Sequence, residues 1–322
     1  GVEVVSQGGM RLIDVSGLFR LRQQLAQWKP DLIHSHLLYA ALVGSVLARL
    51  LKVPHVTTLH NERHASTGIR DRIRSWLEQH VLRHMTSVVI ACGPRIALLQ
   101  AGRVGKTPLV TVANRVRSAR SMAQDARFDK RFAAGIAPID IVVLAAGRLM
   151  PQKGFDILIS AFALVVKKAP HALLLIAGEG PDRAALEHQV KTLALEDRVR
   201  LPGEVRDLED MLQIADAFVL SSRHEGLPLV LIEALSAGLP IVATRVGDVE
   251  TVLNDACGMI VAPGEVEPLA AALETMARSD VLRQTMGKAA ASAAQVHTDV
   301  PRFVAELTAV YDTAVGLYDA AN

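Results

Sequence analysis

Two glutamates stand eight positions apart in the stretch HEGLPLVLIEAL. Glu225 precedes the turn formed by residues 226–228, and Glu233 lies in an apolar run that predicts a helix. Backbone N–H groups at the start of such a helix attract an anion, and a carboxylate can accept hydrogen bonds from two neighbouring hydroxyls. The pattern therefore favours a ligand that carries both an anionic group and a diol. The alternative is that Glu225 serves only as charge at a helix N-terminus and Glu233 lies on a solvated face.

Two cations follow another apolar run, IVVLAA at 141–146. Gly147 lets the backbone turn, and Arg148 and Lys153 come next in a loop that leads to a helix. A guanidinium fork and an ammonium group at this position suit a phosphate or diphosphate. An isolated pair of this kind is more often two solvated surface cations. Gly178, after a third apolar run, allows close backbone approach, although glycine is common in turns between strands and helices.

Histidines occur near the predicted strand ends of the first half, at 34, 36 and 60. No carboxylate or cysteine accompanies them at the spacing of a zinc site, and the chain contains no Asp-x-Asp triplet. We therefore expect no metal and interpret these histidines as structural. The basic segment 69–84 carries Ile73 and Trp76 at helical spacing. Such a stripe is usually core with solvated arginines, and the alternative is contact with an anionic membrane surface.

The composition is that of a globular protein with more than one domain. The chain has 322 residues, of which 50% are hydrophobic and 21% charged, enough for two domains of about 150 residues each. A net charge of +2 and an aromatic content of 4% argue against nucleic acid as a partner. The two cysteines are far apart, which favours a reducing, cytoplasmic compartment. No apolar run reaches the roughly 18 residues of a membrane helix.

Short β-branched runs alternate with longer helical patterns, which predicts two doubly wound parallel sheets. The predicted strands are 2–5, 31–35, 55–59, 87–91 and 109–112 in the first half, and 141–147, 172–178, 217–220 and 240–244 in the second. A polar segment from 114 to 140 with one short helix joins the halves. We expect domains at 1–136 and 137–298, with a C-terminal helix at 299–322 that packs on the first.

Several motifs together resemble a known family, the retaining GT-B glycosyltransferases of family 4. The motifs are KPDLIHSHLLYAALVG, VPHVTTLHN, GRLMPQKGFDILISAF, IAGEGPDRAAL, VRLPGEV and ADAFVLSSRHEGLPLVLIEALSAGLPIVAT. The resemblance covers nearly the whole chain. It implies two facing Rossmann-like domains with a cleft between them, and transfer of a sugar from a nucleotide-sugar to a hydroxyl acceptor with retention of configuration.

The resemblance also assigns roles to individual residues. Arg148 and Lys153 match the basic pair that holds the donor diphosphate and stabilises its growing charge, in place of a metal. Glu225 matches the glutamate that faces the donor sugar, and Glu233 the one that faces the nucleotide ribose. The remaining matches are Gly178, Gly226 and Leu227 in the backbone around the donor, Val199 and Arg200 in the base-binding segment, and His60 near the reacting sugar. Among these, His60, Glu225, Arg148 and Lys153 are expected to take part in catalysis.

The chain departs from the family at two places. A strand and a glycine-rich loop that open family members are absent before GVEVV, and VANRV at 112–116 stands where the family has Asn-Gly. We therefore keep open a nucleotide-sugar-binding protein with little or no turnover, and, as a weaker alternative, a nucleotide-sugar epimerase. The expected setting is synthesis of a cell-surface polysaccharide or glycolipid at the inner face of the plasma membrane. The acceptor would be a glycan or a lipid-linked glycan, and no cofactor is expected.

Overall fold

The computed structural model describes residues 3–4, 15–60, 68–120, 123–205 and 207–321. The chain divides into two compact units, one formed by Gly1–Ala113 with Pro301–Asn322 and the other by Asn114–Val300. Segment 114–136, which we expected in the first domain, belongs to the second unit. The reason lies in its helix, because Arg127 and Arg131 of that helix form ion pairs with Asp216 at 2.7 and 3.2 Å.

The first unit contains a parallel sheet of four strands in the order β1-β2-β3-β4. Its strands are β1 Ile33–His36, β2 His55–Leu59, β3 Val88–Ala91 and β4 Leu109–Thr111, and its helices are α1 Val15–Trp28, α2 Leu38–Leu51, α3 Ile69–His84, α4 Pro94–Val104 and, at the chain's end, α13 Val300–Ala321. Val89 and Ala91 pack with Ile96 of α4, whereas the alternate residue Ile90 packs with Val310 of α13. This alternation follows from the two-residue period of a strand, which presents successive side chains to opposite faces.

The second unit contains a parallel sheet of six strands in the order β10-β9-β8-β5-β6-β7. Its strands are β5 Ile141–Ala146, β6 Ala172–Ala177, β7 Val199–Gly203, β8 Ala217–Leu220, β9 Ile241–Thr244 and β10 Gly258–Val261. Its helices are α5 Gln124–Ala133, α6 Phe155–Val165, α7 Arg183–Thr192, α8 Leu208–Ile214, α9 Leu229–Ser236, α10 Val249–Val252, α11 Val266–Arg278 and α12 Asp280–Ala294. Val143 and Ala145 face one apolar cluster while Val142 and Leu144 face the other, so helices bury both sides of the sheet.

The predicted strands from 31 onwards are confirmed to within two residues at each end. Glu3 and Val4 of the predicted strand at 2–5 are not in a strand, and its other residues lie outside the described part of the chain. Two strands were not predicted. β7 has the sequence VRLPG, in which arginine and proline interrupt the apolar run. The proline is tolerated because β7 lies at the edge of its sheet. β10 is short and begins with glycine.

The predicted burial of the apolar stripe on α3 is wrong. Ile73 is 55% exposed and Trp76 is 64% exposed, whereas Val81 and Leu82 enter the core. The helix buries its C-terminal part against the sheet, which leaves the stripe that includes Trp76 on the outer surface. Within the described ranges, no helix is both long enough and apolar enough to span a bilayer. Arg115, where the family has glycine, does not adopt a positive φ.

Candidate active site

The strand order of the second unit reverses between β5 and β8. From β5 the chain proceeds to β6 and β7 on one side, and from β8 it proceeds to β9 and β10 on the other. Parallel α/β sheets bind ligands at such a switch point, outside the carboxyl ends of the strands. The loops that flank this point are 147–154, after β5, and 221–228, after β8, and they contain both predicted cations and Glu225.

Glycines let these loops approach one another closely. Gly178 has a φ of 144°, and a Cβ atom there would lie 1.9 Å from the carbonyl oxygen of Gly147. Gly154 has a φ of 63°, and its Cβ atom would lie 2.2 Å from the carbonyl oxygen of Ser221. Any larger residue would separate the loops, so these two glycines maintain the approach of the loops after β5, β6 and β8. Gly178 therefore contributes to the site by letting the loop after β6 pack closely against the loop after β5.

Lys153 and Glu225 form an ion pair across the switch point. The Nζ atom of Lys153 lies 2.6 Å from Oε1 of Glu225, and the two side chains are only 17% and 10% exposed. Ser222 donates its hydroxyl to the same carboxylate oxygen at 2.7 Å. Gln152 donates to the carbonyl of His224 at 3.0 Å, which ties the two loops together again. The two residues that we predicted to face the diphosphate and the sugar are therefore in direct contact.

A second ion pair fixes the loops that carry this pair. Arg223 donates to both carboxylate oxygens of Asp156, at 2.8 and 2.6 Å, and to the carbonyl of Pro151 at 2.6 Å. The hydrogen bond from Arg223 holds the pKa of Asp156 below its usual value. Ser221 donates to the carbonyl of Lys153 at 2.9 Å. Sequence reasoning missed Arg223 and Asp156, although both lie next to predicted site residues, in SSRHEG and KGFD.

Arg148 and Glu233 lack such partners. Arg148 is exposed, and its guanidinium makes no hydrogen bond or ion pair to any residue that the structure describes. Glu233 is half-buried on α9, its carboxylate likewise has no partner within the described ranges, and burial raises its pKa above the usual value. A half-buried carboxylate without a partner is destabilising on its own. Such a group is a natural acceptor for the hydroxyls of a ligand.

The turn before α9 is buried at all three of its residues, 226–228. The carbonyl of Gly226 accepts a hydrogen bond from the backbone N–H of Asp248 at 3.0 Å. Gly247, with a φ of 54°, packs against the same carbonyl, where a Cβ atom would lie 2.0 Å away. The chain at Gly226 and Leu227 is therefore held firmly at the start of an eight-residue helix.

Val199 and Arg200, which were expected to contact the nucleotide base, lie away from the switch point. Both residues lie at the amino end of β7, whereas the site is at the carboxyl edge of the sheet. Val199 is buried in the core, and the guanidinium of Arg200 donates to the carbonyls of Ala134 and Gly135, both at 3.0 Å. The carboxyl end of β7 is Gly203, whose carbonyl accepts from the N–H of Gly178 at 2.8 Å. Recognition of β7 as a strand would have moved the assignment to this end.

His60 follows β2 directly, at the carboxyl edge of the first unit's sheet. Its Nε2 atom lies 2.8 Å from Nδ1 of His36, with the ring centroids 5.1 Å apart. His34 instead hydrogen-bonds the hydroxyls of Tyr311 and Thr58, at 2.8 and 2.7 Å. Burial and the neighbouring histidines lower the pKa of His34 to about 4. The part of the chain that the structure describes contains no cluster of three metal-binding side chains.

The comparisons with known proteins agree with this architecture. A crystal structure of HepE from Anabaena in complex with UDP-glucose superimposes with a TM-score of 0.84 over 92% of this chain and 82% of that one, at 22% identity. The two parallel α/β units are thus those of the GT-B fold, as predicted from the sequence.

The sequence matches give the family. Residues 126–293 match the family described as Glycosyl transferases group 1, and residues 1–115 match the Glycosyl transferase 4-like domain. The chain belongs to the group 1 glycosyl transferases. It is 28% identical to the alpha-D-kanosaminyltransferase of Streptomyces kanamyceticus over 87% of its length and 74% of the relative's. It is also 28% identical to a sulfoquinovosyl transferase of Arabidopsis thaliana, over 84% of this chain and only 54% of the relative.

Proposed function

We propose that the chain transfers a sugar from a nucleoside diphosphate sugar to a hydroxyl acceptor, with retention of configuration and without a metal ion. The observation that carries this proposal is the arrangement at the switch point of the second unit. There the Lys153–Glu225 pair, the exposed Arg148 and the half-buried Glu233 belong to loops and a helix at one edge of the sheet. Group 1 membership supports the transferase class, and the UDP-glucose bound to HepE suggests UDP as the first probe.

Each part of the donor has a matching group in this proposal. Arg148 and Lys153 bind the diphosphate and stabilise the negative charge that grows on it as the bond to the sugar breaks. Glu225 accepts hydrogen bonds from the sugar, and Glu233 accepts them from the ribose diol. The base lies beside Gly203 at the carboxyl end of β7, which replaces the earlier assignment to its amino end.

The contact between Lys153 and Glu225 has a role of its own in this reaction. Glu225 neutralises Lys153 and holds its ammonium group at a fixed position. An arriving diphosphate shares the ammonium with Glu225, which can then turn its second oxygen to the sugar. Preorganised charges of this kind need little rearrangement when the transition state forms.

The acceptor side is proposed to contact a membrane that contains anionic lipid. Two neighbouring helices of the first unit expose large apolar side chains: Ile73 and Trp76 on α3 are 55% and 64% exposed, and Leu98 and Leu99 on α4 are 79% and 48% exposed. Tryptophan beside aliphatic residues suits the lipid–water interface.

The charges around this surface support the same proposal. Arg72 and Arg74 are exposed on α3, while Glu78 is neutralised by Arg103 of α4 at 2.5 Å. Basic side chains next to an apolar surface favour an anionic lipid headgroup. A lipid-linked acceptor would be presented there.

Sedimentation with vesicles tests the membrane contact. We expect the chain to sediment with vesicles of phosphatidylcholine and phosphatidylglycerol more than with phosphatidylcholine alone, and Trp76→Ala to reduce this binding. Trp28→Ala is the matched control, because Trp28 is also exposed but lies on α1. Equal sedimentation of Trp76→Ala and the parent chain would contradict the proposal.

Incubation of the chain with UDP-glucose and related donors tests the reaction itself. Release of the nucleoside diphosphate supports a transferase, and the configuration of the transferred sugar reports retention. Binding without any release would indicate a nucleotide-sugar-binding protein, and conversion of the free donor into its epimer would indicate an epimerase.

A further inference from the structure

Two imidazoles of the first unit form a pair through one nitrogen each. Nδ1 of His36 lies 2.8 Å from Nε2 of His60, and the ring planes differ by 30° at a centroid separation of 5.1 Å. His36 ends β1 and His60 follows β2, so that the pairing of two parallel strands fixes the two rings side by side at the carboxyl edge of the sheet. The other nitrogens, Nε2 of His36 and Nδ1 of His60, have no partner among the residues described.

Burial lowers the pKa of both imidazoles from the ordinary value of 6.5, and His36 lowers that of His60 further. Both rings are therefore neutral at neutral pH, and each carries one N–H. The ring of His34 lies 4.4 Å from that of His36, centroid to centroid, and the thiol of Cys92 donates to the backbone carbonyl of His60 at 3.7 Å. His34 has both nitrogens engaged by Tyr311 and Thr58, so it does not share in the pair.

A hydrogen bond between neutral imidazoles restricts their tautomers. If Nδ1–H of His36 donates, Nε2 of His60 is the acceptor and the proton of His60 is on Nδ1. If Nε2–H of His60 donates, Nδ1 of His36 is the acceptor and the proton of His36 is on Nε2. In either case the two rings have the same tautomer. The two unpartnered nitrogens are then always one donor and one acceptor.

We propose that His36 is a positioning residue that holds the ring of His60 at this edge of the first sheet and couples the tautomer of His60 to its own. His36 is exposed and His60 half-buried, so a ligand can reach them. The expected effect on turnover rests on the proposed glycosyl transfer, whereas the pairing of the two histidines does not.

The ring nitrogens can be observed directly by NMR of the full chain labelled with ¹⁵N-histidine. Chemical shifts of Nδ1 and Nε2 distinguish the two tautomers, and the signals of each ring are assigned by their loss in His36→Asn and His60→Gln. We expect the same tautomer, or the same ratio of the two tautomers, in both rings. Opposite tautomers in the two rings would overturn the proposal, because no hydrogen bond could then join Nδ1 of His36 to Nε2 of His60.

Substitution of His36 separates positioning from general structure. The amide of His36→Asn keeps a hydrogen-bonding atom at the place of Nδ1, whereas His36→Ala does not. We expect the tautomer ratio of His60 to stay close to that of the parent chain in the asparagine variant and to change in the alanine variant. We also expect kcat/KM to fall about two- to tenfold in His36→Ala, the range for one neutral hydrogen bond, and to recover in His36→Asn. His188→Ala, an exposed histidine of the second unit, is the control.

An unchanged tautomer of His60 together with an unchanged kcat/KM in His36→Ala would overturn the positioning role. If no donor is turned over by any form, the glycosyl transfer fails, yet the tautomers still decide whether the pair exists. If His36→Ala does not fold, the NMR shifts of the ring nitrogens in the parent chain still test whether the two rings have the same tautomer, and those in His36→Asn still report the tautomer ratio of His60.

Discussion

Replacement of Lys153 by alanine is the perturbation whose result the structure specifies most fully. Its ammonium group is only 17% exposed and contacts a carboxylate that is 10% exposed. If this group binds the diphosphate, Lys153→Ala removes a charge-assisted hydrogen bond worth about 1–3 kcal/mol. The dissociation constant of UDP should therefore rise about fivefold to 150-fold. Uridine, which lacks the phosphates, should bind with unchanged affinity.

The same substitution affects folding, because it leaves Glu225 shielded and unpaired. Removal of one partner of a fully buried pair costs about 3–5 kcal/mol, and the residual exposure of this pair makes the cost smaller. Lys153→Ala/Glu225→Gln removes the unpaired charge, so the double variant should recover stability but not UDP affinity. Stability is measured by urea denaturation, and affinity by calorimetry on the folded proteins.

Lys168→Ala provides the matched control. Lys168 forms an ion pair with Glu274 at 2.9 Å, but its side chain is 65% exposed and lies away from the switch point. This variant should bind both UDP and uridine like the parent chain. The reasoning is refuted if Lys153→Ala weakens uridine and UDP equally, or if UDP affinity returns in the double variant together with stability.

Three further predictions concern the two glutamates and the base. Glu233→Gln should raise KM with kcat nearly unchanged, because the ribose is the same in ground state and transition state. Glu225→Gln should lower kcat more than it raises KM. Steady-state kinetics in which Glu233→Gln lowers kcat and Glu225→Gln raises only KM would contradict this assignment. Glu233→Gln should also raise Tm at pH 7. Burial raises the pKa of its carboxyl above the ordinary value near 4.5, so the parent chain loses stability as the pH rises from 4.5 through the raised pKa. The difference in Tm between variant and parent should therefore vanish toward acid pH. A lower Tm for the variant at pH 7 would show that the carboxylate has a stabilising partner. Arg200→Ala should leave the relative affinities for UDP and other nucleoside diphosphates unchanged in competition binding, since its guanidinium bonds the carbonyls of Ala134 and Gly135. A change in the relative affinities would support a place for Arg200 at the base.

The sequence predicted the strands of both sheets where apolar runs are uninterrupted, as in β5 and β6, because a strand covered on both faces leaves a nearly continuous apolar run. It did not predict β7, whose arginine and proline break that pattern at a sheet edge. The consequence was the assignment of Val199 and Arg200 to the base, although both lie at the amino end of the strand.

The site residues near the switch point were predictable by type and position, but their mutual contacts were not. Nothing in the spacing of Lys153 and Glu225, which are 72 residues apart in the chain, specifies that they pair. The pairing depends on Gly154 and on the bond between Arg223 and Asp156, which bring the two loops together. Similarly, the pairing of His36 with His60 depends on the register of β1 with β2, where His36 lies opposite Thr58.

A crystal structure of the chain with UDP tests the central claim most directly. We predict the diphosphate on Arg148 and Lys153, both ribose hydroxyls on the carboxylate of Glu233, and the base beside Gly203 at the carboxyl end of β7. UDP bound at another place, or bound at this edge with its ribose away from Glu233, would contradict the account.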